Sequence, residues 1–408
     1  MKLKNIDDIK TFLKKINKYD ILYDGSSSYA FSPNNISNIE SKNSILLVSH
    51  ELSRTGAPIV VLDTAKVLVK QGFFVVVIST KDGELLDEFL SIGVPVVVMP
   101  EIKCTQYLHN EVDLFTKTLD LDEFVNSFNI TFFVTATLYN FVRRYYNSNN
   151  KIIWWIHEGS ESYNILGKKM PKTITKNVTV LTGGQYSADQ LNKLNFKYYP
   201  KVLNYGVYDE KKHQQKEKKE NNDKVKFLIA GTIGVRKGQL VLLEAIKLLP
   251  DDINNNSEFI FIGDPYENDR TGEEIKKIIY EYSLDNKNVK LLKSMDRKSL
   301  YKMYGDIDVL VVASIDDPMP VVATENFMLG NICLCSDCTG TSYYITDKKN
   351  GFVFKSGDVE ELSKKIEYIV SHKKELDTIK QNGRKIFENY FEMSIFSKNI
   401  LKIVKDRL

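Results

Sequence analysis

The sequence predicts an α/β protein built of two doubly wound parallel-sheet domains, and three observations carry that expectation. Short runs rich in Val, Ile and Phe alternate with longer stretches of helical period, as parallel strands joined by crossover helices require. One almost wholly polar run, Asp209–Lys224, interrupts the alternation near its middle, and the alternation then restarts. A chain of 408 residues also exceeds what one hydrophobic core usually organises.

In chain order, residues 1–43 break the rhythm with a lysine-rich helical stretch, Ile9–Ile16, and a Ser/Asn-rich segment through Ser26–Ser28 and Ser32–Ser44; they read as an appended extension. Residues 44–208 form the expected first domain. Its strands are Ile45–Ser49, Phe74–Ser79, Val94–Val98, Thr131–Thr135, Lys151–Ile156 and Val178–Thr182, with a helix at Ala57–Gln71 that sets Val60, Val61, Ala65, Leu68 and Val69 on one side. Residues 209–224 lack an apolar side chain to bury and read as a solvated linker. The second domain, 225–390, has strands at Val225–Ala230, Phe259–Ile262, Val289–Leu292, Val309–Ala313, Ile332–Cys335 and Phe352–Phe354. Residues 391–408 are expected to form a helix that packs back on the first domain.

Composition narrows the function. The 56 basic and 53 acidic residues nearly cancel, leaving a formal charge of +3, so no global field for nucleic acid exists and any anion site must be local. Four cysteines (Cys104, Cys333, Cys335, Cys338) are too few and too clustered for a secreted disulfide framework. With no charged-then-apolar leader, the expected location is cytoplasmic. Runs such as Val94–Met99 fall far short of a bilayer span, so membrane contact is expected to be peripheral.

Two segments suit chemistry. After Val225–Ala230 comes Gly231-Thr232-Ile233-Gly234-Val235-Arg236-Lys237-Gly238, then a helix at Gln239–Leu249. Glycines let backbone amides approach an anion, and adjacent cations neutralise a diphosphate. The other reading is a glycine turn with surface cations. The segment is neither G-x-G-x-x-G nor a P-loop, which removes the sequence support for dinucleotide binding and ATP hydrolysis. Downstream, Asp316-Asp317-Pro318-Met319-Pro320 leads into a helix through Val321–Leu329 whose free N-terminal amides face a phosphate or sugar hydroxyls. Glu325, two turns in, suits the vicinal hydroxyls of a ribose. Alternatively, Asp316 and Asp317 cap the helix and Glu325 is solvated.

Asp317…Glu325 has the spacing of the E-x7-E motif, and here the chain resembles the family 4 glycosyltransferases, also described as glycosyl transferases group 1. Further segments agree in order: Ser49–Pro58 with Gly56, Trp155-Ile156-His157-Glu158, Val180-Leu181-Thr182, Asn204-Tyr205-Gly206-Val207, and Gly340-Thr341…Asn350-Gly351-Phe352-Val353. The match spans about Ser44 to Tyr390. Asp317 stands where the family usually has Glu, and Thr232 where it usually has Arg. The resemblance implies the GT-B fold, two Rossmann-like domains facing across a cleft, with the acceptor on the first and the donor on the second. It implies retaining transfer of a hexose or N-acetylhexosamine from a nucleoside diphosphate sugar, UDP before GDP, to a glycan, glycolipid or glycoprotein hydroxyl in bacterial surface-glycan synthesis.

By the same resemblance, His157, Lys237 and Asp317 are the catalytic candidates. Gly56, Gly231, Thr232, Arg236, Lys237, Met319, Pro320, Val321 and Glu325 would bind the donor. His157 would meet a sugar hydroxyl; taken alone it reads as a core-edge histidine bonded to backbone. No cofactor or metal is expected. The triplets Asp120-Leu121-Asp122 and Asp306-Ile307-Asp308 read as structural, and Cys333 and Cys335 share one strand face as buried thiols. A basic stretch, Lys168-Lys169…Lys172…Lys176 with Arg143-Arg144, suits anionic lipid or is a solvated face. A sugar-nucleotide epimerase of the same fold and a non-catalytic scaffold subunit are the rival readings.

Overall fold

The computed structural model describes residues 5–15, 20–21, 28–100, 121–211 and 224–408. They form two compact units, Met1–Tyr205 with Ser397–Leu408, and Gly206–Phe396.

Among the described residues the first unit holds nine strands: β1 (Asp20–Ile21), β2 (Tyr29–Phe31), β3 (Ser44–Ser49), β4 (Phe74–Ser79), β5 (Val96–Val98), β6 (Ile130–Val134), β7 (Lys151–Ile156), β8 (Val178–Thr182) and β9 (Lys201–Val202). Their order is β1-β2-β5-β4-β3-β6-β7-β8-β9. All pairs from β5 to β9 are parallel, and every residue of β3, β4 and β6 is buried, which is why these strands read as unbroken apolar runs. The helix Gly56–Lys70 buries Val60, Val61, Ala65 and Leu68 as expected, while Val69 stays half-buried.

The N-terminal residues are not an appendage. In the helix Ile6–Lys15, Ile9, Phe12 and Leu13 form an i, i+3, i+4 stripe buried in the core of this unit. Strand β2 pairs antiparallel with β5, Tyr29 opposite Val98, and so covers the edge of the parallel sheet.

The second unit holds β10 (Val225–Ala230), β11 (Ser257–Ile262), β12 (Val289–Leu292), β13 (Val309–Val312), β14 (Ile332–Ser336) and β15 (Phe352–Phe354), all parallel, in the order β12-β11-β10-β13-β14-β15. Its core is built on Phe227, Phe259, Val309, Leu334 and Phe352, covered by helices such as Gln239–Lys247 and Val359–Ser371.

The division falls three residues before the expected linker, because Val207 is held inside the second unit: its N–H donates to Phe391 O at 2.8 Å and its carbonyl accepts from Met393 N at 3.1 Å. Asp209 adds a bond from Arg384 at 2.6 Å. Of the linker, residues 212–223 lie outside the described residues. The last residues belong with the first unit, where Leu408 O accepts from Lys151 Nζ at 2.7 Å and Arg407 donates to Lys176 O at 2.9 Å.

In the parallel part of each sheet the strand order reverses once. The reversal lies between β3 and β6 in the first unit and between β10 and β13 in the second. Ligands of open α/β sheets bind outside the carboxyl ends of the strands at such a switch point.

Candidate functional site

In the second unit, both sequence-predicted segments flank the switch point. Gly231 follows β10 directly, and Ala313–Pro320 follows β13, its neighbour in the sheet. The loop after β10 closes on itself through Gln239, a buried side chain that the sequence reading passed over. Its amide donates to Thr232 O at 3.0 Å and accepts from Gly234 N at 3.3 Å. Gly238 starts the following helix at φ +71°, and a Cβ there would lie 2.0 Å from Ala313 O, so the two loops touch backbone to backbone.

The cations face the downstream loop. Lys237 Nζ lies 2.6 Å from Asp317 Oδ2, and Arg236 donates to Asp316 O at 2.9 Å while standing 3.5 Å from the same Asp317 oxygen. Ile315 N donates back to Arg236 O at 3.0 Å. The Asp317 side chain is 8% exposed, so this is a carboxylate turned inward onto two cations and not a solvated cap. Thr232 lies half-buried beside them.

Asp317 also anchors its own loop, since its N–H donates to Cys338 O at 3.1 Å and its carbonyl accepts from Gly340 N at 2.9 Å. A Cβ on Gly340 would sit 1.7 Å from Pro318 O, which ties the loop Asp317–Pro320 to the turn after β14. Met319 and Pro320 are buried, and the helix Val321–Leu329 starts at Pro320 with no side-chain cap. Capping by Asp316 or Asp317 is therefore not found. Pro320 O accepts from Ala323 N at 3.1 Å, which leaves the N–H groups of Val321 and Val322 to other acceptors.

Glu325 departs from the solvated alternative as well, being 3% exposed. Arg297 Nη2 lies 2.7 Å from its Oε1, and Tyr301 donates to the same oxygen at 3.1 Å. Burial pushes the Glu325 carboxyl above its ordinary range, and the Arg297 guanidinium opposes that push. Neither Arg297 nor Tyr301 was singled out from sequence. Their i, i+4 spacing is visible there, but the partner helix is not.

The first unit carries the other two candidates. Gly56 opens its helix on the loop after β3, and a Cβ there would meet no atom within 4 Å. His157 follows β7, its ring 4.7 Å from that of Trp155 and pressed against Gly183, where a Cβ would lie 3.0 Å from Nδ1. His157 Nε2 is buried with no hydrogen-bond partner among the described residues, and burial together with His50 pushes the imidazole down to about 3. The side chain is therefore a neutral imidazole with one nitrogen unused. Glu158 is half-buried and accepts from Ala136 N at 2.8 Å and His157 N at 2.9 Å, fixing the backbone that presents the imidazole.

The remaining candidates have structural partners. Asp122 binds Arg144 at 2.6 Å and Asp308 binds Lys380 at 2.8 Å; Asp120 and Cys104 lie outside the described residues. Cys333 and Cys335 are buried free thiols. Among the described residues, no group of three or more His, Cys, Asp or Glu side chains is placed to hold a metal ion, and no helix is long and apolar enough to cross a membrane.

Two parallel-sheet α/β units of this kind are those of the GT-B fold, and solved structures agree on the fold. HepE from Anabaena in complex with UDP superposes with a TM-score of 0.69 at 16% identity, over 89% of this chain and 100% of that one. Sucrose-phosphate synthase from Thermosynechococcus elongatus gives 0.69 at 16% identity, over 90% and 99%. Residues 210–386 match the model of the glycosyl transferases group 1 and residues 40–187 that of glycosyl-transferase family 4; the chain belongs to the family 4 glycosyltransferases.

Relatives include the capsular polysaccharide biosynthesis glycosyltransferases CapM and CapH of Staphylococcus aureus. CapM is 25% identical over 55% of this chain and 56% of its own length, and CapH 27% identical over 61% and 69%. The chain thus spans little more than half of the CapM sequence. The Escherichia coli UDP-Gal:alpha-D-GlcNAc-diphosphoundecaprenol alpha-1,3-galactosyltransferase is 24% identical over 41% of this chain and 42% of its own.

Proposed function

We propose that this protein transfers a hexose or N-acetylhexosamine from a nucleoside diphosphate sugar, UDP before GDP, to a hydroxyl of a glycan, glycolipid or glycoprotein, with retention, in bacterial surface-glycan synthesis. The observation that carries the reading is the Lys237–Asp317–Arg236 cluster at the β10/β13 switch point, beside an uncapped helix start. Transfer leaves negative charge on the departing phosphates, and fixed cations with free amides are what stabilise it. Lys237 and Arg236 would take the diphosphate, with Gly231 and Thr232 lining its approach. Asp317 and the backbone of Met319, Pro320 and Val321 would hold the transferred sugar, and Glu325 the ribose. His157 offers its neutral imidazole to a sugar hydroxyl, and the open space over Gly56 suits close approach of the donor. A bound phosphate competes with Asp317 for Lys237, so donor binding frees the carboxylate for the sugar.

Metal independence is part of the proposal, supported by the engagement of Asp122 and Asp308 with Arg144 and Lys380. So is a location on the cytoplasmic face, where the exposed Lys168, Lys172 and Lys176 would rest on anionic lipid. Co-sedimentation with anionic vesicles at low salt tests the last point. A thermal-shift screen against UDP, GDP and their sugar conjugates tests the donor reading. A ligand at about 100 times its Kd adds roughly 2.7 kcal/mol of stability. A shift with no nucleoside diphosphate at all would overturn it.

A further inference from the structure

Glu325 is held in a way that a purely structural ion pair does not require. Arg297 and Tyr301 lie one turn apart on the helix Arg297–Asp306, which packs on the helix carrying Glu325. Arg297 Nε donates to the Tyr301 hydroxyl at 2.9 Å, the guanidinium stands 5.4 Å from the Tyr301 ring centroid, and both side chains then converge on Glu325 Oε1. Oε2 receives no hydrogen bond from the described residues. Oε2 is not among the fully buried atoms without a partner, so this oxygen keeps an opening through which a second, transient donor can reach it.

The support behind this pair is built to hold it still. Asp296 caps the helix start by accepting from Ser299 N at 2.9 Å, which fixes Arg297 at the first helical position. The preceding loop is braced by Asp264, which accepts from Ser294 N at 2.8 Å and binds Lys276 at 2.6 Å. The Arg297 side chain is 52% exposed and Glu325 4%, so the guanidinium lies at the rim and the carboxylate beneath it.

We infer that Arg297 and Tyr301 are positioning residues for the donor: they hold the Glu325 carboxylate ionised, occupy Oε1, and leave Oε2 for the ribose diol. The inference rests on the reading of Glu325 as the ribose ligand. The groups facing the carboxylate are Arg297, Tyr301, Tyr304 and, through Tyr304, Cys333; its own helix adds no other charge. Burial raises both tyrosines, and the hydrogen bond with Cys335 together with burial raises Cys333, well clear of neutrality, so Glu325 is the group of this cluster that titrates when Arg297 is removed. Loss of the guanidinium leaves the raising effect of burial unopposed, and the neutral acid form then fills at low pH.

The test uses calorimetric titration of the full chain with UDP and 2′-deoxy-UDP, whose affinity ratio cancels the titration of the diphosphate itself. The wild type is expected to prefer UDP by about tenfold across about pH 6 to 9. In Arg297→Met the ratio is smallest at the acid end of that range and rises toward its alkaline end, because deprotonation restores the acceptor. Arg297→Lys retains most of the ratio, and Tyr301→Phe, which removes one hydroxyl, gives an intermediate ratio with an unchanged Tm. Equal weakening of both ligands at every pH in Arg297→Met would overturn the inference, since it marks a phosphate contact. A wild type that binds UDP without preferring ribose would overturn the ribose role of Glu325. A wild type that binds neither UDP nor GDP would overturn the donor reading and this inference together.

Discussion

Replacing Lys237 by Ala separates what the ion pair does for the fold from what the cation does for the donor. Lys237 Nζ lies 2.6 Å from Asp317 Oδ2, with side chains 22% and 8% exposed. Removing one partner of a fully buried pair costs about 3–5 kcal/mol, because the other charge is left unpaired. Here Lys237 retains some water and Arg236 stands 3.5 Å away, so the cost falls to about 2 kcal/mol. For a unit of roughly 150–250 residues that corresponds to a Tm about 4–8 °C lower. The double variant Lys237→Ala/Asp317→Ala removes both charges and should regain most of that loss. Transfer responds differently: losing a donor to the departing phosphates costs about 2.7–4 kcal/mol of barrier, or roughly 100- to 1,000-fold in turnover, in the single variant and at least as much in the double. Thermal unfolding by fluorimetry and UDP release from a panel of UDP-sugars measure the two effects. A double variant as unstable as the single would refute the pairing energetics, and turnover within about tenfold of wild type would refute the phosphate role.

Three other outcomes are expected. His157 has a folded pKa of about 3, below its unfolded value, so the unfolded chain binds more protons between those values and stability falls as pH drops through that window, by at most about 1.4 kcal/mol per unit. Urea midpoints of His157→Gln should then be flatter than wild type between about pH 6 and 4, and parallel curves would refute the buried neutral imidazole. Gly340→Ala drives a methyl onto Pro318 O and should lower stability by about 3 kcal/mol or more and weaken UDP binding, read by fluorimetry and calorimetry; an unchanged Kd would detach that turn from the donor loop. Turnover in excess chelator should stay within about twofold of the untreated protein, and its abolition, restored by a divalent cation, would refute metal independence.

What the sequence disclosed and withheld follows from the range of the interactions. Strand β10 and the helix after it are set by local pattern, and Val225–Ala230, Val289–Leu292 and Phe352–Phe354 appear at their expected bounds. β5 begins two residues later than expected, at Val96, immediately after Pro95, which has no N–H for the ladder. β2 was missed because three residues in a Ser/Asn-rich stretch carry no period; only pairing with β5 makes them a strand. The site shows the same limit. Lys237 and Asp317 were visible as residue types beside glycine and proline punctuation, but their 2.6 Å pairing joins loops 80 positions apart. Arg297 and Glu158 act through partners that only the folded sheet brings close.

The composition of the first unit bears on how the chain is made. Residues 397–408 supply Arg407 and Leu408 to that unit's hydrogen bonds, yet they follow the whole of the second unit in sequence. On the ribosome, the second unit can therefore reach its complete contact set first, reversing the usual order in which an N-terminal domain finishes ahead of its successor. The first unit must wait, sheet formed but lacking this closing segment, until residues 397–408 emerge. A fragment ending at Tyr205 reproduces that waiting state and is the form in which chaperone dependence should be sought.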